Sequence, residues 1–213
     1  GQWKAPHYTA AGYAFASINY RLVPEATVEQ QGADVAASLR YLIGNAARLG
    51  FDSGRIVIMG HSAGAHLVAL VGTDESYLRG AGLSFASIDG VIPIDGAAYD
   101  VAQQMQEGGN FMADTYLQAF GTDPVRQRAL SPTLHAASPN APAFLIIHVQ
   151  RKDGVAQSIS LQAALRKGGT KADRQEFEGR GLKGHAEINR SLGNPAYAAT
   201  PVVDAWLKRV IGS

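Results

Sequence analysis

The sequence predicts one α/β domain built on a mostly parallel sheet with helices on both faces. Three observations predict it. Short, β-branched apolar runs alternate with helix-periodic segments from one end of the chain to the other. No internal repeat, low-complexity tract or linker divides residues 1–213. Of the 213 residues, 46% are hydrophobic and only 17% charged, enough apolar material for a single substantial core.

The elements follow in order. Tyr13 to Tyr20 (YAFASINY) reads as a buried strand. Val28 to Leu49 then carries Val28, Val35, Leu39, Leu42, Ile43, Ala46 and Leu49 near helical spacing, a core-facing stripe on one long helix that Gly50 stops. Arg55 to Met59 (RIVIM) is a second strand, running directly into a tight turn and the helix-prone segment Ala65 to Val71. Ile88 to Ile94 and Ala143 to Val149 (AFLIIHV) are two further buried strands. The composition of Ala156 to Arg166 suits a crossover helix after the second of them. Arg174 to Phe177 is a candidate last strand, and Val202 to Ile211, with Val203, Trp206, Leu207 and Val210 on one face, a closing helix.

Composition excludes several classes of function. Lysine and arginine number 19 against 18 aspartates and glutamates, so the net charge of +1 offers no electrostatic footprint for a nucleic-acid backbone or an anionic membrane. With no cysteine there is no disulfide, thiolate nucleophile or cysteine-held zinc, and the six histidines show no metal-binding spacing. No cofactor or metal is expected. Neither a membrane-length apolar run nor a signal-peptide pattern is present, so a cytoplasmic location is the default expectation.

The chemistry concentrates at Gly60-His61-Ser62-Ala63-Gly64. A G-x-S-x-G match is weak by itself, but here an apolar strand meets a helix start, where a sharp turn pushes the serine hydroxyl out above the sheet. Gly60 and Gly64 then have a steric reason, since side chains there would collide with the turn and the neighbouring strand. The helix start leaves backbone N–H groups unpaired, and that of Ala63 would point at an oxyanion formed when Ser62 attacks a carbonyl.

Three stretches, NYRLVPE (Asn19 to Glu25), RIVIMGHSAGAHL (Arg55 to Leu67) and GHAEINRSLG (Gly184 to Gly193), resemble the α/β-hydrolase carboxylesterases related to hormone-sensitive lipase. GHSAGAHL is also similar to the arylformamidase branch. The resemblance covers nearly the whole chain in the expected order. It implies an α/β-hydrolase fold, no cofactor, and a small-molecule ester or related acyl compound as substrate.

A serine hydroxyl needs an imidazole to take its proton and a carboxylate to hold that imidazole. The fold orders these as serine, acid, histidine. His185 alone lies beyond the last candidate strand, on a glycine-rich loop (Gly179, Gly181, Gly184) just before AEINRSL, and the resemblance puts the catalytic histidine there. Asp153 follows the strand Ala143 to Val149 by a few residues and matches the family's acid, although Arg151 and Lys152 beside it would also pair with it as a surface ion pair. Asp95, also just after a strand, is the reserve, early for the usual order. His61 is read as filling the free position of the motif, His66 as packing or bonding locally, and His148 as a satisfied core residue. His7 and His135 carry no usable signal.

Between 97 and 140 the pattern loosens into short helical pieces with Tyr99, Met105, Phe111, Met112, Tyr116, Leu117 and Phe120. A small cap over the site explains them, and so does helix-to-sheet packing. The family pattern also begins with further strands and a His-Gly-Gly loop supplying oxyanion donors. That motif is absent here, and Gly1 to Gly12 resembles the helix that follows it. The expectation is therefore a fold lacking its first strands, with a gap in the sheet between Tyr13–Tyr20 and Arg55–Met59. Either those strands pair directly or a homodimer covers the edge, and the dimer is favoured. The resulting functional expectation is a serine carboxylesterase acting on short-chain acyl or aryl esters. The alternatives are an arylformamidase-like amidase with the same triad, and a catalytically impaired remnant serving as a binding or assembly module.

Overall fold

The computed structural model describes residues 2–107, 112–137 and 139–212. Its sheet consists, among these residues, of four parallel strands in the order β1 (Val57–His61), β2 (Gly90–Ile94), β3 (Ala143–Val149) and β4 (Lys171–Phe177). This is the α/β class that the alternating pattern predicts. The register is direct, with His61 opposite Ile94, Ile94 opposite Ile147, and Val149 opposite Phe177. The carboxyl ends of β1, β2 and β3 therefore lie side by side, where parallel sheets carry their functional loops.

Both faces of the sheet are covered, which explains why the central strands read as unbroken apolar runs. Along β3 the side chains alternate between two cores. Phe144 and Ile146 join Leu67, Leu70, Val91 and Leu161 on one face. Leu145, Ile147 and Val149 join Ile92, Ile188, Val203 and Trp206 on the other. The first core takes helices α2 (Val28–Gly44), α4 (Ala63–Thr73) and α10 (Lys152–Lys167), and the second takes α11 (Gly181–Ser191) and α12 (Ala199–Ile211).

Several boundaries depart from the sequence reading for local reasons. Helix α2 starts at Val28 as predicted because Thr27 and Gln30 form a reciprocal cap, with the Gln30 N–H donating to Thr27 Oγ1 and the Thr27 N–H to Gln30 Oε1. The single long helix expected to Leu49 is broken at Asn45, whose side chain donates to the Tyr41 carbonyl, and a separate turn, α3 (Ala46–Leu49), follows. Gly50 does end it, at φ +76°.

Tyr13 to Tyr20 is not a strand. No backbone ladder joins it to β1 among the described residues, so direct pairing across the expected gap does not occur and β1 stands at the edge of the sheet. Side chains anchor the segment instead. The Tyr13 hydroxyl donates to the Gly212 carbonyl at 2.8 Å, and Phe15 stacks on Tyr8 of α1 (Lys4–Ala10) with ring centroids 6.2 Å apart. Alternating apolar residues gave a strand signal that reports this one-sided anchoring rather than pairing.

Between β2 and β3, among the described residues, lie four short helices, α6 (Val101–Glu107), α7 (Ala113–Phe120), α8 (Pro124–Ala129) and α9 (Pro132–His135), after α5 (Glu75–Gly80) has closed the preceding connection. Tyr99 and Phe120 are buried in the first core, and Met105 and Tyr116 pack against it. These four aromatic or sulfur side chains thus serve packing. Leu117 is exposed, and Phe111 lies outside the described residues. No described helix is long and apolar enough to cross a membrane.

Candidate active site

The turn from β1 to α4 fixes the first functional side chain. Ser62 has φ +59° and ψ −118°, a conformation that L-residues rarely adopt and that persists only when its surroundings over-determine it. They do so here. The Ser62 N–H donates to the Ile94 carbonyl on β2 at 3.1 Å, and the Ser62 carbonyl accepts from the N–H groups of Ala65 and His66, opening α4. A side chain on Gly60 would place its Cβ 2.1 Å from the Gly64 carbonyl oxygen, so this position admits only glycine. Gly64 is under no such constraint, since a Cβ there would meet nothing within 4 Å. Only the first of the two glycines is sterically required.

His185 comes from α11, after β4. Expected on a loop before a helix, it sits instead in the second turn of a helix that already begins at Gly181. Gly184 permits this placement, because a Cβ there would lie 2.5 Å from the carbonyl carbon of Gly179 on the incoming loop. The result brings His185 Nε2 to 3.0 Å from Ser62 Oγ. His185 Nδ1 lies 2.6 Å from a carboxylate oxygen. A carboxylate only accepts, so Nδ1 carries the proton and Nε2 is free to accept from the serine hydroxyl.

That carboxylate belongs to Asp95, not to Asp153. Asp95 follows β2 directly, at φ +46°, with its N–H donating to the Ile147 carbonyl at 2.7 Å. Its side chain is fully buried and fully bonded. Oδ1 accepts from the Val149 N–H at 3.0 Å, and Oδ2 accepts from His185 and, at 3.0 Å, from Arg151 Nε. Burial pushes the Asp95 carboxyl up, but the His185 hydrogen bond, the Arg151 charge and the Val149 N–H outweigh it and hold the group below the ordinary aspartate value.

Asp153, the acid expected from its place after β3, begins α10 instead. In that first turn its carboxylate favours the positive end of the helix. Its Oδ2 accepts from Gln104 Nε2 at 3.3 Å and lies 3.6 Å from Arg151. Arg151 therefore stands between the two aspartates, bonding Asp95 closely and Asp153 loosely. The chain order serine, acid, histidine still holds with Asp95. As the reserve candidate it looks early, yet the rule fixes only the order and leaves open which strand supplies the acid.

Three further histidines resolve differently. His66 is buried, donates from Nδ1 to the Ala98 carbonyl at 3.0 Å and packs edge-on to Phe120, as the packing reading expects; burial lowers its pKa to about 4. His148 is buried on β3 with Nε2 accepting from Arg174 at 2.7 Å. His61 does more than fill a free position. Its Nε2 donates to the backbone carbonyl of His185 at 2.9 Å. Ala63, the exposed first residue of α4, follows Ser62 directly, and its N–H makes no recorded hydrogen bond among the described residues. A cavity of about 420 Å³ between α2 and α5, lined by Glu29, Asp34 and Tyr77 among others, includes none of Ser62, Asp95 or His185.

Known proteins share this framework. The BD-FAE family model matches residues 3–165. The chain is 32% identical over 171 residues to "Esterase LipQ" of Mycobacterium tuberculosis, an alignment covering 74% of this chain and 39% of that protein. It thus spans well under half the length of that curated relative. Among solved structures, an acetyl ester-xyloside bifunctional hydrolase from Caldicellulosiruptor lactoaceticus is 25% identical with TM-score 0.69, covering 91% of this chain and 70% of that one. A truncated form of a carbohydrate esterase from gut microbiota is 23% identical with TM-score 0.75, covering 92% and 74%.

Proposed function

Since the chain belongs to the BD-FAE family, we propose that it is a serine carboxylesterase hydrolysing short-chain acyl or aryl esters through an acyl-enzyme on Ser62. The observation that carries the reading is the continuous line from Asp95 through His185 to Ser62, with hydrogen bonds of 2.6 and 3.0 Å. The esterase names of LipQ and of the acetyl ester-xyloside hydrolase support the substrate class.

In this mechanism Ser62 Oγ attacks the ester carbonyl while His185 Nε2 takes the hydroxyl proton. The imidazolium that forms is stabilised by Asp95, which stays ionised. The carbonyl oxygen becomes an oxyanion, and the Ala63 N–H donates to it. His185 returns its proton to the departing alcohol, and a water then releases the acid by the same steps. Burial of Asp95 strengthens its interaction with the imidazolium, because little solvent screens the pair.

The sequence feature that suggested an amidase, Ala65-His66-Leu67 in GHSAGAHL, is buried in α4 with His66 bonded to Ala98, and the ester reading rests on the esterase names of the relatives. Side-by-side assays test it. The purified protein is expected to hydrolyse an aryl acetate faster than an N-formyl aryl amine, and Ser62→Ala to lower the ester rate by about 10³-fold or more. Preferential formamide hydrolysis would favour the amidase. A folded protein inert towards both would favour the binding or assembly module.

A further inference from the structure

The residue preceding the nucleophile is in contact with the general base. His61 Nε2 donates to the His185 carbonyl at 2.9 Å, and the two imidazole rings are 4.3 Å apart, inclined by 36°. From the geometry of this contact we propose that His61 is a positioning residue, which sets the height and tilt of α11 so that His185 Nε2 meets Ser62 Oγ. The proposal rests on the esterase reading and extends it to the residue in the free position of the G-x-S-x-G turn, the elbow that carries Ser62.

Ser62 and His61 are neighbours at the end of β1, while His185 arrives on a helix more than a hundred residues later, tied to β4 by a short glycine-containing loop. A hydrogen bond from His61 to the His185 backbone couples the position of the base directly to the strand that carries the nucleophile. A second clamp lies one turn along α11. Lys4 of α1, a buried amine, donates to the Asn189 carbonyl and to Asn189 Oδ1, the latter at 2.8 Å. Two donor side chains thus seize the same helix at His185 and Asn189.

The chemistry of His61 suits this task. Burial, and then the neighbouring His185 charge, lower its pKa to about 4, so at neutral pH the ring is uncharged. The charged groups whose fields reach it are His185, Asp95 and Lys4. A neutral ring donates its one N–H to the carbonyl without opposing the imidazolium that His185 becomes during turnover. A permanently cationic residue at position 61 would supply the hydrogen bond but oppose that charge.

Two substitutions separate the donor from the ring. Gln at 61 places an amide N–H near the position of Nε2, whereas Phe keeps a ring and loses the donor. With an aryl acetate, His61→Phe is expected to lower kcat about 10- to 100-fold at unchanged KM, and His61→Gln to recover kcat to within about 3-fold of the parent. If the Phe variant does not fold, His61→Leu is read the same way. Crystal structures of the variants give a reading that needs no turnover. The separation of His185 Nε2 and Ser62 Oγ is expected to open beyond about 3.5 Å in the Phe or Leu variant and to remain within hydrogen-bond reach in the Gln variant. Equal impairment of Gln and Phe, parental kcat in His61→Phe, or an unmoved His185 in its structure would overturn the positioning role. A parent protein that turns over no ester would instead count against the esterase reading, and the crystallographic comparison would still judge His61.

Discussion

Asp95→Asn is expected to lower kcat for ester hydrolysis by about 10³- to 10⁴-fold, while Asp153→Asn changes it by no more than about 3-fold. The asparagine is nearly isosteric, so the pocket between β2, β3 and α11 survives. An amide presented to His185 can donate, however, and then Nδ1 is left as the acceptor and Nε2 as the donor, the wrong tautomer for taking a proton from Ser62. Loss of the carboxylate also removes the countercharge for the imidazolium. Asp153 has neither consequence, since its contacts are Gln104 and the outer side of Arg151. Steady-state kinetics on the two variants decide which aspartate acts. A large loss in Asp153→Asn with a parental Asp95→Asn would return the acid role to α10.

The second large effect concerns the elbow itself. Gly60→Ala forces a methyl group into the backbone of Gly64, with 2.1 Å to its oxygen and 2.4 Å to its carbon, so α4 cannot keep its place on the sheet. A clash with backbone on this scale is expected to destabilise by more than about 4 kcal/mol and to abolish activity in whatever fraction folds. Gly64→Ala provides the contrast. Its methyl enters open space in the first turn of a helix, and stability is expected to change by about 1 kcal/mol or less. Urea unfolding of both variants measures the difference, and similar midpoints would show that the elbow tolerates a side chain at position 60.

Much of this organisation was legible in the sequence because it depends on local pattern. AFLIIHV was bounded to the residue, since a strand buried on both faces has no polar interruption. Ser62 was legible because Gly60, the preceding strand and the following small-residue helix each constrain the same turn. His185 could be named from its place beyond the last strand, although its helix was mistaken for a loop by the glycines that let it dock. What failed depended on partners far away in the chain. Whether Tyr13 to Tyr20 forms a strand is decided by a neighbour it does not have. Which aspartate meets His185 depends on how β2, β3 and α11 come together, where Val149 and Arg151 hold the Asp95 carboxylate. The role of His61 had no sequence signal beyond its position, because its partner is a backbone carbonyl 124 residues away.

Covalent labelling tests most directly whether His185 activates the Ser62 hydroxyl. A fluorophosphonate probe followed by peptide mapping is expected to modify Ser62 alone in the parent protein, with no label in Ser62→Ala and at least about 100-fold slower labelling in His185→Ala. A folded parent protein left unmodified, or one labelled at the same rate without the imidazole, would contradict the account.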